Sequence, residues 1–266
     1  MHPFTQLSLP AGAAAVHWFE QASFAVTDGP GTLLLVDPYA PHERPAVRFI
    51  HSRPPLDEAQ WPPHFVLFTH AHDDHTNSET VARIHAAAPR ARYLGPQESI
   101  DQVVAETGVE AGQCAAVVPG QRVAAGTMAI NVVYAKPPAG DPDADIPPPD
   151  TPHFGYVVEA GALRIYLSGD PINNFADHRA LTDAVAELRP DVGFFTNHPT
   201  EGEFPYLAGS ALMARLCGVR TACPAHYQCF VTRNYDPAEW AAALAAEGVA
   251  TRIIPRNSHH VFTAGG

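Results

Sequence analysis

Apolar and polar residues interleave over 16–27 (VHWFEQASFAVT) as they do in a strand, and a Gly-Pro-Gly turn follows at 29–31. The run TLLLVDPY (32–39) predicts a buried strand ending at Asp37-Pro38, because proline offers no N–H to the ladder. A second short apolar run, FVLFT (65–69), also predicts a buried strand. Ser78 is expected to cap the helix ETVARIHAAA, with Val81, Ile84 and His85 on one side. A short RYLG run, a second helix (ESIDQVVAETG) and strands near 114–118 and 127–135 follow. GYVVEAGALRIYLSGD (155–170) predicts a hairpin around Ala160-Gly161. Beyond it, helices at 178–189, 207–218 and 236–248 alternate with strands at 191–196, 220–226 and, last, 250–255. The helix at 236–248 carries Asp236 as N-cap, Pro237 in the first turn and Gly248 at the C-cap. Strands dominate the first part and alternate with helices later, which predicts an α/β fold of layered sheets with helices outside.

No short-period repeat or shift in composition divides the chain. Residues 1–266 are therefore expected to form one domain, with a core over about 16–262. Proline makes up 27 of the 266 residues, and the richest stretch, PPAGDPDADIPPPDTP (137–152), excludes helix and central strand. A loop of that length is either a lid over a ligand or a solvated excursion. The net charge is −12 and Lys136 is the only lysine, which excludes general nucleic-acid binding. An anionic small substrate stays compatible, because a metal or a few arginines reverse the field locally. No run of 18 or more apolar residues spans a membrane, and the first residues lack the basic and apolar regions of a signal peptide. Cys114, Cys217, Cys223 and Cys229 are accordingly expected as free thiols in the cytoplasm.

Histidine is the residue type that changes the picture, with 15 in the chain. His70, His72 and His75 fall with Asp73 and Asp74 in six residues directly after an apolar strand. On a helix, residues two apart point about 200° from each other, but at a strand end His70 and His72 share a side. Imidazole and carboxylate together suit Zn, Mn or Fe better than Ca or Mg. Further ligands must come from later strand ends. Asp170 closes RIYLSGD behind Gly169, His226 follows TACPA, and His153 opens HFGYVVE.

FTHAHDDH resembles the H-x-H-x-D-H signature of the metallo-β-lactamase superfamily. The order also fits: Asp37 after an early strand, the His/Asp cluster, a middle His, Asp in S-G-D and a late His in P-A-H. HWFEQASFAV, THAHDDH, IYLSGD and PAHYQCF…DPAEW are similar to the branch containing L-ascorbate-6-phosphate lactonase. The resemblance implies a four-layer αββα sandwich with two divalent metal ions, zinc before manganese, between the sheets. His70, His72 and His153 would hold one ion, Asp74, His75 and His226 the other, and Asp170 would bridge them. Asp37 would orient the cluster from outside the ligand set. A hydroxide shared by the two ions would open a small-molecule ester or lactone, with Asp74 orienting it and moving a proton. Di-iron oxygen-reducing relatives usually carry Glu where His72 stands, so histidine there implies hydrolysis. The alternatives are a phosphodiesterase on the same two ions and a non-catalytic metal- or ligand-binding protein. The expected partner is a small-molecule substrate, without nucleic acid or membrane, and homo-oligomerisation is left open.

Other residues carry weaker expectations. His198 is weighed as lining the mouth of the site or as a plain loop residue. His259 and His260 follow the last expected strand, at the pocket or on the surface. Tyr227 is expected to pack, Cys223 to be core, and Arg233 either to pair with a substrate anion or to be solvated. Neither a Gly-x-Ser-x-Gly elbow nor a Gly-rich phosphate loop occurs, so serine-hydrolase and nucleotide-triphosphate chemistry lack support.

Overall fold

The run Leu33–Val36 shows how the layers form. Leu34 and Val36 face the core between two sheets, whereas Leu33 and Leu35 face a second core beneath two helices. Successive strand side chains alternate, so a strand covered on both faces must be apolar throughout. The computed structural model describes residues 1–29, 31–200 and 202–264. Pro30 of the expected Gly-Pro-Gly turn lies outside the described residues.

The elements run β1 (Ala14–Trp18), β2 (Phe24–Thr27), β3 (Leu33–Val36), β4 (Phe65–Leu67), α1 (Ser78–Ala87), β5 (Arg92–Gly95), α2 (Gln97–Glu106) and β6 (Cys114–Ala116). They continue as β7 (Arg122–Ala125), β8 (Met128–Tyr134), β9 (Phe154–Ala160), β10 (Leu163–Leu167), α3 (Arg179–Glu187), β11 (Val192–Thr196) and α4 (Leu207–Leu216). The last are β12 (Thr221–Ala225), α5 (Pro237–Ala246), β13 (Ala250–Thr251) and β14 (Ser258–Phe262). One seven-stranded sheet has the order β14-β1-β2-β3-β4-β5-β6 and the other β13-β12-β11-β10-β9-β8-β7. Each is antiparallel in one half and parallel in the other, β3 to β6 and β10 to β13. Helices α1 to α5 supply the crossovers of the parallel pairs, except β3 to β4, whose connection carries only a short 3-10 turn (Glu58–Gln60). Phe24 of one sheet meets Phe194 of the other at 5.0 Å, and Phe195 turns outward to Trp240 of α5. The result is the αββα sandwich implied by the resemblance. Among the described residues, no helix is long and apolar enough to cross a membrane.

Several expectations need correction. Residues 16–27 form two strands, because the chain reverses through Gln21, which takes φ +53°. Asn77, not Ser78, caps α1, accepting the Thr80 N–H at 2.9 Å. His85 is only partly buried, whereas Thr80 joins Val81 and Ile84 inside. In α5, Asp236 caps as expected, Glu247 is the C-cap, and Gly248 follows it at φ +73°. β7, an edge strand of alternating exposure, is not among the strands expected from the sequence. Only Ala250–Thr251 of 250–255 pairs, and the chain has a later strand, β14, that closes the first sheet against β1. The two histidines in SHHVF hide its apolar alternation, and its place at a sheet edge requires little burial. Residues 137–152 carry one short 3-10 turn (Pro142–Ala144) and an isolated bridge, Asp141 to Ile146. The four cysteines are free, three of them buried, with Cys223 in the core.

Candidate metal centre

The residues that follow β3, β4, β10 and β12 meet at one edge of the sandwich. His153 joins them because β9 runs antiparallel to β10, so its start lies beside the end of β10. The turns there are tight. Gly169 has φ +57°, and a Cβ on it would stand 2.5 Å from the Phe154 carbonyl oxygen, so only glycine admits Asp170 at this point. Asp37 and His226 adopt φ +43° and +63°, left-handed conformations that cost energy for residues with a Cβ. Surrounding bonds hold His226 there. Its N–H donates to the Gln21 carbonyl at 2.8 Å, and the Gln21 N–H donates to the Tyr227 carbonyl at 3.0 Å.

Three groups of side chains converge, each with its candidate ligand atoms within 4.8 Å of one another: His70, His72 and His153; His70, His75 and Asp170; Asp74, His75 and His226. Asp170 lies centrally, with its oxygens 3.3 Å from His75 Nε2, 3.4 Å from His226 Nε2 and 3.7 Å from His70 Nε2. The rings of His70 and His153 stack at 3.9 Å. His70, His75, His153, His226 and Asp170 are all buried. Asp74 is 15 % exposed and His72 34 %, so these two face the opening. All seven residues named from the sequence are brought together. Asp73 is not among them: it accepts from Asn77 Nδ2 at 2.8 Å at the start of α1.

A cation fits this donor set. Both nitrogens of His153, both of His226 and Oδ1 of Asp170 are buried without a hydrogen-bond partner among the described residues. Unpaired buried polar atoms cost about 1–3 kcal/mol each; a neutral imidazole carries one lone-pair nitrogen and one N–H, so one nitrogen of each ring together with Asp170 Oδ1 forms a cradle for something that accepts lone pairs. Burial, with His75 and His153 nearby, keeps His70 well below its ordinary pKa. Burial and the charge of Lys136 push His153 down to about 3. His226 is also lowered, chiefly by burial, so its ring is neutral and its lone pair free. His75 differs. Burial works against its charge, but Asp170, Asp37 and Asp74 hold it well above the usual range. Burial likewise opposes ionisation of Asp170, yet His75 and His226 keep its carboxyl well below the usual range.

The far nitrogens of the cluster are fixed from outside. His75 Nδ1 donates to Asp37 Oδ2 at 2.7 Å, and Asp37 also accepts the Thr69 N–H at 2.8 Å and the Thr69 hydroxyl at 2.6 Å. Thr69 Oγ1 lies 3.0 Å from His70 Nδ1, which leaves His70 Nε2 inward. His72 Nε2 donates to Asp150 at 3.0 Å, and its Nδ1 points at His70. That bond is the first cause of the lowered Asp150 pKa. Gln21 Nε2 donates to Asp74 Oδ2 at 3.0 Å and lies 3.2 Å from His75 Nε2. Gln21, Thr69 and Asp150 are not among the site residues expected from the sequence. Thr69 had a signal, since it immediately precedes the cluster; Gln21 and Asp150 lie 53 and 78 positions from their partners.

The remaining candidates separate. Arg233 reaches the site, 3.6 Å from Asp74 Oδ2 and 2.8 Å from Glu203 Oε2. His198 lies at the rim, bonded to the Thr200 carbonyl, with its ring 5.9 Å from Phe204. Phe204 is buried and meets His226 edge-on at 5.0 Å. Tyr227 packs on Trp18 at 4.6 Å. His259 and His260 belong to β14, where His259 neighbours Phe4 and His17. A surface hollow of about 780 Å³ lies at the starts of β4 and β5 and holds none of the cluster residues. A hollow of about 410 Å³ lies beside the cluster, lined by Tyr134, Lys136, Phe154 and the His72 partner Asp150.

Residues 15–217 match the family model described as the Beta-lactamase superfamily domain. The chain is 28 % identical over 272 residues to a UPF0173 metal-dependent hydrolase of Cupriavidus taiwanensis, covering 94 % of this chain and 87 % of that protein. Two solved structures share the fold. An isothiocyanate hydrolase from Delia radicum gut bacteria has a TM-score of 0.72 at 14 % identity, covering 94 % of this chain and 99 % of that one. A metallo hydrolase of the hyperthermophilic archaeon Ignicoccus hospitalis has a TM-score of 0.69 at 19 % identity, covering 95 % and 99 %.

Proposed function

The chain belongs to the beta-lactamase superfamily, in its metallo-β-lactamase sandwich fold, and from that premise we propose that it is a metal-dependent hydrolase of small molecules. One observation carries the reading: the buried, unpartnered atoms of His153, His226 and Asp170 within reach of His70, His72, Asp74 and His75. His70, His72 and His153 would hold one divalent ion and Asp74, His75 and His226 a second, with Asp170 reaching both. A donor set rich in imidazole favours zinc, then manganese. Bound there, the ions would supply Lewis acidity toward a carbonyl and bring the pKa of water near neutrality.

The chain's own residues do the rest. Asp37 and Thr69 hold His75 and His70 in the tautomers that aim Nε2 inward, and Asp150 does the same for His72 Nδ1. Asp74 is the most exposed carboxylate of the cluster and receives Gln21 Nε2 on one oxygen, which suits it to orient a water and take its proton. Phe204 shields His226 from solvent. The substrate class we favour is an ester or lactone, supported by the resemblance to the ascorbate-6-phosphate lactonase branch. The named activity of the Cupriavidus relative supports hydrolysis more generally.

Metal content of protein purified without chelator, followed by a panel of lactones, aryl esters and bis-aryl phosphates, tests the reading. About two ions per chain with turnover of lactones or esters is expected. Turnover of phosphodiesters alone would replace the ester reading, and no metal after reloading with zinc or manganese would overturn both.

A further inference from the structure

The only lysine of a chain with net charge −12 sits at the rim of the metal centre. Lys136 lies two residues beyond the end of β8, at the foot of the proline-rich loop, and its Nζ lies 5.8 Å from the centre of the Phe204 ring. Arg233, from a 3-10 turn on the far side of β12 in sequence, places its guanidinium carbon 5.2 Å from the same ring. Phe204 in turn touches His226. Both cations are thus anchored on one buried aromatic ring beside a proposed metal ligand. A cation over an aromatic face is held without neutralising its charge. Arg233 also faces Glu203 and Asp74, but Lys136 forms no ion pair among the described residues. Lys136 lines two hollows on either side of the loop, of about 270 and 410 Å³. The larger is of small-molecule size and also contains Asp150, the partner of His72.

We infer that Lys136 and Arg233, mounted on Phe204, recognise a negatively charged group of the substrate, a carboxylate or phosphate, while its scissile bond lies at Asp74 and His226. The inference rests on the hydrolase reading and names the substrate class for it: a small anionic ester or lactone rather than a neutral one. Lysine offers a point charge and arginine a fork, and both match an oxyanion.

The test uses the full-length, metal-loaded protein and two esters with the same leaving group, 4-nitrophenyl acetate and mono-4-nitrophenyl succinate. In the wild type, kcat/KM favours the succinate ester. In Lys136→Met the succinate-to-acetate ratio falls at least tenfold, mainly through KM, and in Lys136→Arg most of it returns. A ratio unchanged in Lys136→Met overturns the inference. Hydrolysis of neither ester by the wild type counts against the hydrolase reading instead. The anion site is then read by calorimetric titration with succinate and, separately, inorganic phosphate. Binding weakened tenfold or more in Lys136→Met, for either anion, supports the site and says which group it takes. Equal binding by both proteins, or none by the wild type, overturns it.

Discussion

Asp37 offers the sharpest separation between holding the fold and holding the metal. Its carboxylate is fully buried and accepts three hydrogen bonds, from the Thr69 N–H, the Thr69 hydroxyl and His75 Nδ1. Asp37→Ala leaves all three donors buried and unsatisfied. Breaking one side of such a buried charged network costs about 3–5 kcal/mol. For a chain of this size each kcal/mol moves the melting temperature by roughly 2–4 °C, so a fall of roughly 6–20 °C is expected in chelator. Asp37→Asn keeps the volume and one acceptor for the Thr69 N–H. Its amide cannot accept from His75 on the side that now carries N–H, so the neutral imidazole that would bind a metal keeps its proton on Nε2, the nitrogen 3.3 Å from Asp170, instead of on Nδ1. The Asn variant is therefore expected to lose much less stability than the Ala variant, yet to bind metal about 10–100-fold more weakly. Thermal melting in chelator reads the first effect, and competition with a chromophoric chelator reads the second. Metal affinity equal to wild type in Asp37→Asn would refute the claim that Asp37 sets the tautomer of His75. A wild-type melting temperature for Asp37→Ala would refute the accounting of its three bonds.

His17 is buried among Phe4, Phe19 and Trp61, and burial, despite an opposing bond to Asn257, pushes its pKa down to about 4. Its unfolded-state value near 6.5 is higher, so the unfolded chain binds the proton first. This stability is present above pH 6.5 and falls by about 1.4 kcal/mol per pH unit down to about 4; urea titrations of wild type and His17→Phe should differ in that slope, and equal slopes exclude the residue. Chelation should lower the melting temperature of metal-loaded protein, since a ligand at 100 times its Kd adds about 2.7 kcal/mol; no shift would mean that the cluster holds no metal. Asp150→Ala should weaken metal binding about tenfold, the low end of such effects because Asp150 is 75 % exposed and screened; an unchanged chelator competition curve would show that the His72 contact positions nothing. Gly169→Ala forces a Cβ against the Phe154 carbonyl at a positive φ, so loss of both metal binding and at least about 1–3 kcal/mol of stability is expected. A variant that melts and binds like wild type would show that the turn has slack.

Local pattern determined much of this protein. The four-residue apolar run of β3 declares a strand covered on both faces, and Asp236-Pro237 declares the start of α5. Three histidines in six residues after a strand declare a ligand loop, because close sequence spacing forces close spatial spacing. Where geometry depends on partners far along the chain, the sequence is silent. β14 pairs with β1 across more than two hundred residues, and nothing in SHHVF specifies that register. His153 and His226 were legible as histidines at strand ends, but their meeting with His70 and Asp74 follows from two sheets packing face to face. Gln21 reaches Asp74, Asp150 grips His72, and Lys136 and Arg233 share Phe204, all through the closing of the sandwich edge. Composition and spacing encode elements, caps and short loops, whose energies are local. The tautomer of each imidazole, the unpaired atoms of the cradle and the cations at its rim are set by tertiary packing, which alone decides which distant polar groups face one another away from water.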